Sequence, residues 1–281
     1  MSRYAELPAL DSAFALDPAA VESFARHGHV RLSAVATPDE VPPYRDVISG
    51  AARRHSAETR PLEERDTYGK AFVQIENLWR VDQGVERFVT ARRFAGIAAR
   101  LLGVQHVRLY HDQALFKEPG GGPTPWHQDS VYWPLDTEDT VTMWMPLVDL
   151  AEDMGGMQFA SGSHREKELA TLGISDEAET HFARLLQDGR HPVTAVQPMQ
   201  AGDATFHRGW TLHRAQPNRS ATVREVMTVI YVADGARVAE PREPWHHSEL
   251  ASWMPGLGPG DPVASALNPL LTGDRSAARS D

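Results

Sequence analysis

The chain contains 281 residues, of which 41% are hydrophobic and 23% charged, a composition typical of a globular protein with a sizeable core. No run approaches the roughly 18 apolar residues of a membrane span, and the N-terminus lacks a secretory-signal pattern, so we expect a cytoplasmic protein without a membrane partner. The formal net charge of −10, with no long Lys/Arg cluster, argues against nucleic acid as a partner, leaving small molecules as the expected ligands and the oligomeric state open.

Helical patterns dominate residues 1–103, which we interpret as an N-terminal helical layer with short strands. Thr37 is a plausible cap with Pro38 in the first turn, and Gly103 suits a helix C-terminus because glycine tolerates a positive φ. Residues 29–35 alternate like a short strand. Helices are predicted over residues 18–27, 38–55 and 85–102.

The sequence pattern changes after Gly103, where short β-branched and aromatic runs are separated by Gly, Pro, Asn and Asp. We interpret residues 104–235 as an all-β core, interrupted by a polar and helical insertion at residues 166–189. Residues 255–281 are rich in Gly, Pro, Ser and Ala and are expected to form a flexible tail or a lid. A single jelly-roll-like domain over residues 1–281 fits this order better than two independent domains.

The stretch PWHQDSVYWP, residues 125–134, carries a histidine and a carboxylate two positions apart among aromatic side chains. If this stretch is extended, His127 and Asp129 project to the same face and supply two of the three ligands of a facial metal site. The chain has no cysteine, so any metal must be bound by His, Asp or Glu. The alternatives are a surface ion pair and a core histidine hydrogen-bonded to its neighbouring carboxylate.

A second histidine on an apparent strand, His213, is followed by the turn signal QPNR and by a strand that contains Arg224. If a hairpin turns about Asn218 and Arg219, His213 and Arg224 lie opposite each other. A metal-bound histidine beside a guanidinium would hold both ends of a dianion, because the planar fork of arginine grips a carboxylate. This arrangement suits 2-oxoglutarate.

The sequence from residue 24 to about residue 232 resembles the phytanoyl-CoA dioxygenase family of Fe(II)- and 2-oxoglutarate-dependent oxygenases. The resemblance is carried by LFKEPGGGPTPWHQD, GGMQFASGSHR, GDATFHRGWTLHRAQPNRS and the arginine eleven residues beyond His213. It implies a double-stranded β-helix, iron bound by His127, Asp129 and His213, 2-oxoglutarate bound by Arg224, and O2 as the oxidant. Related halogenases have Gly or Ala in place of the carboxylate, so Asp129 favours hydroxylation or another oxidation with release of succinate and CO2.

The resemblance also implies further contacts to the cosubstrate, with a solvated charge at a strand end as the alternative for Lys117 and a core position as the alternative for Trp144. These candidates are Gln113, Lys117, Trp144 and Ser220. Residues 72–79 alternate like a strand along the opening, and the aromatic wall near the metal pair would exclude water. The candidate substrate contacts are Gln74, Asn77 and Trp133.

Two other histidines and one C-terminal segment admit simpler interpretations. We interpret His207 as structural and His164 as a solvated loop residue, and residues 243–253 as a surface helix or a lid. The composition resembles that of bacterial enzymes of natural-product biosynthesis, so a natural-product intermediate is the expected substrate. The rival functions are a metal-dependent β-barrel enzyme that does not use 2-oxoglutarate and a non-catalytic β-sandwich binding module.

Overall fold

The structure is a computed structural model that describes residue 4, residues 6–167 and residues 169–271. These residues form two antiparallel β-sheets with helices packed on the outer face of the larger sheet. The fold is mainly β, with a double-stranded β-helix core, as the sequence predicted. In the described part of the chain, no helix is both long and apolar enough to cross a membrane.

The helices lie mostly before the β core, and their ends follow local sequence signals. The first helix, α1, matches the predicted bounds because the Asp17 carboxylate accepts the Ala19 N–H at its start and Gly28, at φ +79°, ends it. The helices are α1 (Pro18–His27), α2 (Val41–His55), α3 (Thr67–Ala71), α4 (Gln83–Val89), α5 (Arg92–Leu102), α6 (Asp176–Leu185) and α7 (Pro244–Trp253).

Two predicted helices have different bounds in the structure. Residues 37–40 form a separate turn before α2, in which the Glu40 carboxylate accepts the Thr37 N–H and pairs with Arg93. The predicted helix over residues 85–102 is two helices, because Ala91 between α4 and α5 has an extended backbone with ψ 127°. Gly103 ends α5 in the left-handed conformation, as predicted.

Within the described residues, the larger sheet has seven strands in the order β1-β8-β5-β10-β3-β11, with β2 paired to β3, and the smaller has the order β4-β9-β6-β7. The strands of the larger sheet are β1 (His29–Leu32), β2 (Val73–Glu76), β3 (Val107–Lys117), β5 (Thr140–Pro146), β8 (Ala204–Arg208), β10 (Arg224–Ala233) and β11 (Leu270–Leu271). The strands of the smaller sheet are β4 (Thr124–His127), β6 (Met157–Ala160), β7 (Val193–Ala195) and β9 (His213–Ala215).

The central strands of the larger sheet are buried on both faces. Met143 and Met145 of β5 join the core beneath the N-terminal helices, together with Phe94 of α5. Thr142 and Trp144 alternate with these methionines and line a cavity on the opposite face. The two-residue period of the strand therefore separates the core from the cavity wall.

The predicted hairpin between His213 and Arg224 is wrong. β9 pairs with β4 and β6 in the smaller sheet, whereas β10 pairs with β3 and β5 in the larger one. Residues 216–223 cross from one sheet to the other, and the Asn218 side chain fixes this crossing by donating to the carbonyl oxygens of Lys117 and Thr222. His213 and Arg224 consequently line one cavity from opposing sheets.

The predicted insertion and part of the predicted tail have defined contacts. Residues 166–189 include α6, whose Phe182 packs with Trp126 of β4. Residues 255–271 pack against the core, where Asn268 donates to the Leu109 carbonyl and β11 pairs with β3. The rest of the predicted tail, residues 272–281, lies outside the described residues.

Candidate active site

A cavity of about 270 Å³ lies between the two sheets, and residues from both sheets and from α7 line it. Polar residues that the sequence analysis singled out face this space among aromatic side chains. Those on its lining are His127, Asp129, His213, Arg224, Gln113 and Gln74. A partly enclosed cavity with a few convergent polar groups is typical of a small-molecule site.

Two histidines and an aspartate converge in the cavity. His127 at the end of β4 is the register partner of His213 at the start of β9, and their ring centroids lie 4.1 Å apart. Asp129 Oδ1 lies 3.5 Å from His127 Nε2 and 3.6 Å from His213 Nε2. One ligand atom from each residue lies within 4.8 Å of the others, which is compatible with one shared metal ion.

The backbone at Asp129 is not part of a strand, contrary to the expectation from the sequence. The strand ends at His127, Gln128 stays extended, and Asp129 begins a 3₁₀ helix over Asp129–Val131. The prediction that both residues lie on one strand is therefore wrong. The two side chains nevertheless converge, because the chain turns only after Gln128.

The hydrogen bonds of both histidines direct the same ring nitrogen toward Asp129. His127 Nδ1 bonds the Pro125 carbonyl at 2.7 Å, and His213 Nδ1 bonds the Thr211 carbonyl at 2.9 Å. Since a carbonyl oxygen only accepts, Nδ1 carries the proton in each ring and Nε2 presents a lone pair. Such backbone bonds are the usual means of orienting metal-binding imidazoles.

Asp129 is held by its second oxygen. Oδ2 accepts a hydrogen bond from Thr142 at 3.1 Å and lies 3.3 Å from His207 Nε2, which leaves Oδ1 toward the two other histidines. Burial opposes ionisation, but His213, His127 and His207 hold the pKa of the carboxyl well below its usual value. Burial, followed by the neighbouring His127, lowers the pKa of His213 well below its usual value.

Arg224 is a buried guanidinium at the start of β10. Its side chain is 1% exposed, donates through Nη1 to the Gly155 carbonyl at 2.7 Å and lies over the Trp144 ring at 5.4 Å. Among the described residues, no acidic partner reaches it and its Nε has no acceptor, while burial lowers its pKa to about 9. An unpaired buried charge is costly, so the site is suited to a ligand carboxylate.

Three other predicted contacts, Gln113, Trp144 and Gln74, line the same cavity, and so does Trp133. Gln74 donates to Glu76, and Trp144 lies under the Arg224 guanidinium. Their position is compatible with ligand contact, which stays a prediction.

The remaining predicted contacts lie elsewhere. Lys117 is the register partner of Arg224, but its amine bonds the Gly122 carbonyl, and burial, followed by the neighbouring guanidinium, lowers its pKa to about 6. Ser220 bonds Asn218 within the crossing segment. Asn77 follows β2 in the left-handed conformation and accepts from Trp79, so the predicted strand over residues 72–79 ends at Glu76.

Sequence reasoning missed several residues of the cavity. His207, interpreted as structural, contacts Asp129 because β8 pairs with β5 and brings His207 opposite Thr142. Glu249 reaches the cavity from α7, the segment interpreted as a surface helix or a lid. His164 lies half-buried in the 3₁₀ turn Ser163–Arg165, where burial lowers its pKa to about 4.

Comparisons with known proteins show what the chain is similar to. A probable alpha-ketoglutarate-dependent hypophosphite dioxygenase from Stutzerimonas stutzeri is 26% identical over 170 residues, which cover 59% of this chain and 59% of that protein. The chain thus spans about three fifths of the length of that relative.

Two solved structures resemble the chain over nearly its whole length. The alpha-ketoglutarate-dependent carbocyclase SnoK from nogalamycin biosynthesis is 26% identical, with a TM-score of 0.73 over 92% of this chain and 97% of that one. The epimerase SnoN, solved with Fe3+, alpha ketoglutarate and nogalamycin RO, is 27% identical, with a TM-score of 0.74 over 91% of this chain and 100% of that one. The family model of phytanoyl-CoA dioxygenase matches residues 24–226. The chain belongs to the phytanoyl-CoA dioxygenase (PhyH) family.

Proposed function

We propose that this protein is an Fe(II)- and 2-oxoglutarate-dependent dioxygenase that oxidises a small molecule and releases succinate and CO2. The observation that carries the proposal is the convergence of Asp129 Oδ1 with the Nε2 atoms of His127 and His213. Two imidazoles and one carboxylate on one side of an ion leave open positions for further ligands, the donor set typical of non-haem Fe(II) oxygenases.

The residues fit both implied groups. For iron, the two histidines bond backbone carbonyls through Nδ1 and leave Nε2 toward Asp129, whose carboxylate is held by Thr142 and His207. For 2-oxoglutarate, the buried Arg224 guanidinium has Nε without an acceptor within the described ranges and would bind a carboxylate. When bound, the metal supplies activation of O2, and the cosubstrate supplies two electrons as it loses CO2.

The protein's own residues would bind and orient the cosubstrate and shield the reacting atoms from water. Arg224 would fix the distal carboxylate of the cosubstrate, which places its 2-oxo acid end toward the histidines. Trp133 and Trp144 would exclude water from the reacting atoms. Gln113 faces the same cavity and would donate to the bound acid.

A natural-product intermediate is the substrate that we favour, and hydroxylation is the outcome that Asp129 supports. SnoK and SnoN, which resemble the chain over more than nine tenths of its length, come from nogalamycin biosynthesis. A cytoplasmic location stays a prediction from the sequence.

Anaerobic titration with Fe(II) and 2-oxoglutarate tests the proposal. We expect a charge-transfer absorption band that needs both additions and, on exposure to air, succinate formation that Asp129→Ala and His213→Ala abolish. Metal binding without any effect of 2-oxoglutarate would favour the rival metalloenzyme. Absence of tight metal binding would favour a binding module.

A further inference from the structure

The mouth of the cavity carries two carboxylates that have no role in the proposed metal site. Glu76 at the end of β2 is the more exposed of the two and marks this mouth, and Glu249 of α7 lines the same cavity and is half-buried. The Gln74 amide donates to Glu76 Oε1 at 2.9 Å, and Tyr68 in turn donates to Gln74, so a chain of hydrogen bonds orients this carboxylate.

The two arginines on the lining contact groups other than these carboxylates. Arg214 pairs with Glu179 at 2.6 Å and stacks over Trp126 at 4.8 Å. Arg224 donates to the Gly155 carbonyl in the half of the cavity that we assign to the cosubstrate. Within the described residues, therefore, no Lys or Arg forms a salt bridge with Glu76 or Glu249.

Burial disfavours the charge of both carboxyl groups. It raises the pKa of Glu76, against the effect of a hydrogen bond from Gln113. Burial raises the pKa of Glu249 to about 8, and repulsion from Glu76 and Asp129 acts in the same direction. A cation placed between Glu76 and Glu249 would offset both effects.

A buried histidine on the same cavity lining provides an independent observation. His111 is 2% exposed and shares the cavity-facing side of β3 with Gln113 and Leu115. It stacks on Trp253 at 4.5 Å, and its Nδ1 has no hydrogen-bond partner in the described part of the chain. Burial lowers the pKa of His111 to about 4, so this wall offers a neutral imidazole and no competing positive charge.

The aromatic side chains on the lining favour the same class of ligand. Tyr132 and Trp133 line the same cavity as the carboxylates, and aromatic faces attract ammonium groups. An anion such as the hypophosphite named for the Stutzerimonas relative would instead meet two carboxylates. The charge of the cavity lining therefore predicts that this chain and the relative named for a small anion bind substrates of opposite charge.

We propose that the substrate carries a protonated amine, which Glu76 and Glu249 bind at the mouth of the cavity. This inference rests on the proposed function, because it assumes that the substrate enters the cavity above the His127, Asp129 and His213 cluster. The inference assigns binding of the substrate to the two glutamates. Binding of the cosubstrate remains assigned to Arg224.

Three probes of similar size test the charge preference: benzylamine, benzyl alcohol and benzoate. Their affinities are measured by calorimetry on the protein with Co(II) and 2-oxoglutarate, and again on the metal-free protein. The variants are Glu76→Gln and Glu249→Gln, with Glu22→Gln on the exposed face of α1 as a control of equal charge change. The Co(II) and 2-oxoglutarate affinities of each variant show whether its fold is intact.

We expect benzylamine to bind about tenfold or more tightly than the other two probes, as one partly desolvated ion pair allows. Each glutamate variant should lose most of this preference, and Glu22→Gln should keep it. Equal binding of all probes, no binding of benzylamine, or a preference that survives both substitutions would overturn the inference. Failure to bind Co(II) and 2-oxoglutarate would contradict the proposed function instead, and the metal-free comparison then still decides the charge preference.

Discussion

His207 Nε2 lies 3.3 Å from Asp129 Oδ2, while Asp129 Oδ1 lies 3.5 and 3.6 Å from the Nε2 atoms of His127 and His213. The aspartate is thus held from one side and presented to the metal cluster from the other. We therefore assign His207 a positioning role, because groups that orient a metal-binding carboxylate contribute to metal affinity.

His207→Phe, which keeps a ring but removes the donor, is expected to weaken Fe(II) affinity by about 10- to 100-fold. His207→Gln retains a donor and should restore part of the loss. The measurement is anaerobic competition for Fe(II) with a chelator. His191→Phe, at a buried histidine bonded to Glu166 and outside the cavity lining, is the matched control and should leave the affinity unchanged. An unchanged affinity in His207→Phe would contradict the positioning role.

Arg224→Lys tests the assignment of the cosubstrate carboxylate. Lysine keeps the charge but loses the planar fork, so the Kd for 2-oxoglutarate should rise by about tenfold, and by more in Arg224→Met. Calorimetry on the Co(II)-loaded protein gives these values. The Co(II) affinity should not change, and a loss of metal binding in both variants would point to a structural role.

The Gly155 carbonyl that accepts from Arg224 depends on a glycine. Gly155 has φ +77°, and an added Cβ would lie 2.5 Å from the Gln216 carbonyl oxygen. Gly155→Ala should therefore lower the unfolding free energy by about 1–3 kcal/mol and weaken 2-oxoglutarate binding. Gly235→Ala is the control, because Gly235 also has a positive φ but open space around it. Equal effects of the two substitutions would show that strain alone, without the clash, explains the loss.

A buried carboxyl group predicts a pH-dependent difference in stability. Burial raises the pKa of Asp112 to about 8, so between about pH 4 and pH 8 the folded chain holds a proton that the unfolded chain has lost. Wild-type stability should therefore fall relative to Asp112→Asn as the pH rises through this window. Urea unfolding at several pH values measures the difference. A difference that does not vary with pH would mean that Asp112 is not protonated in the folded state.

The sequence predicted the architecture well where local signals decide structure. The bounds predicted for the first helix, residues 18–27, are those of α1, and Gly103 ends α5 as predicted. Strand periodicity identified the β core, and the motifs around His127 and His213 identified residues that the structure brings together in one cavity. These features depend on neighbours in the chain, so they can be inferred without the fold.

Features that depend on strand pairing could not be inferred. A turn signal follows His213, but the chain crosses to the other sheet because Asn218 bonds Lys117 and Thr222 instead of closing a hairpin. His207 reaches Asp129 only because β8 pairs with β5. Long-range pairing is not encoded in local spacing, so the contact between His207 and Asp129 could not be inferred.

The most direct test of the central claim is a structure of the protein crystallised anaerobically with Fe(II) and 2-oxoglutarate. We predict one metal ion about 2.0–2.2 Å from Asp129 Oδ1 and from the Nε2 atoms of His127 and His213, with the distal carboxylate of 2-oxoglutarate on Arg224. A metal bound at another set of residues, or a 2-oxoglutarate molecule that does not contact Arg224, would contradict the account.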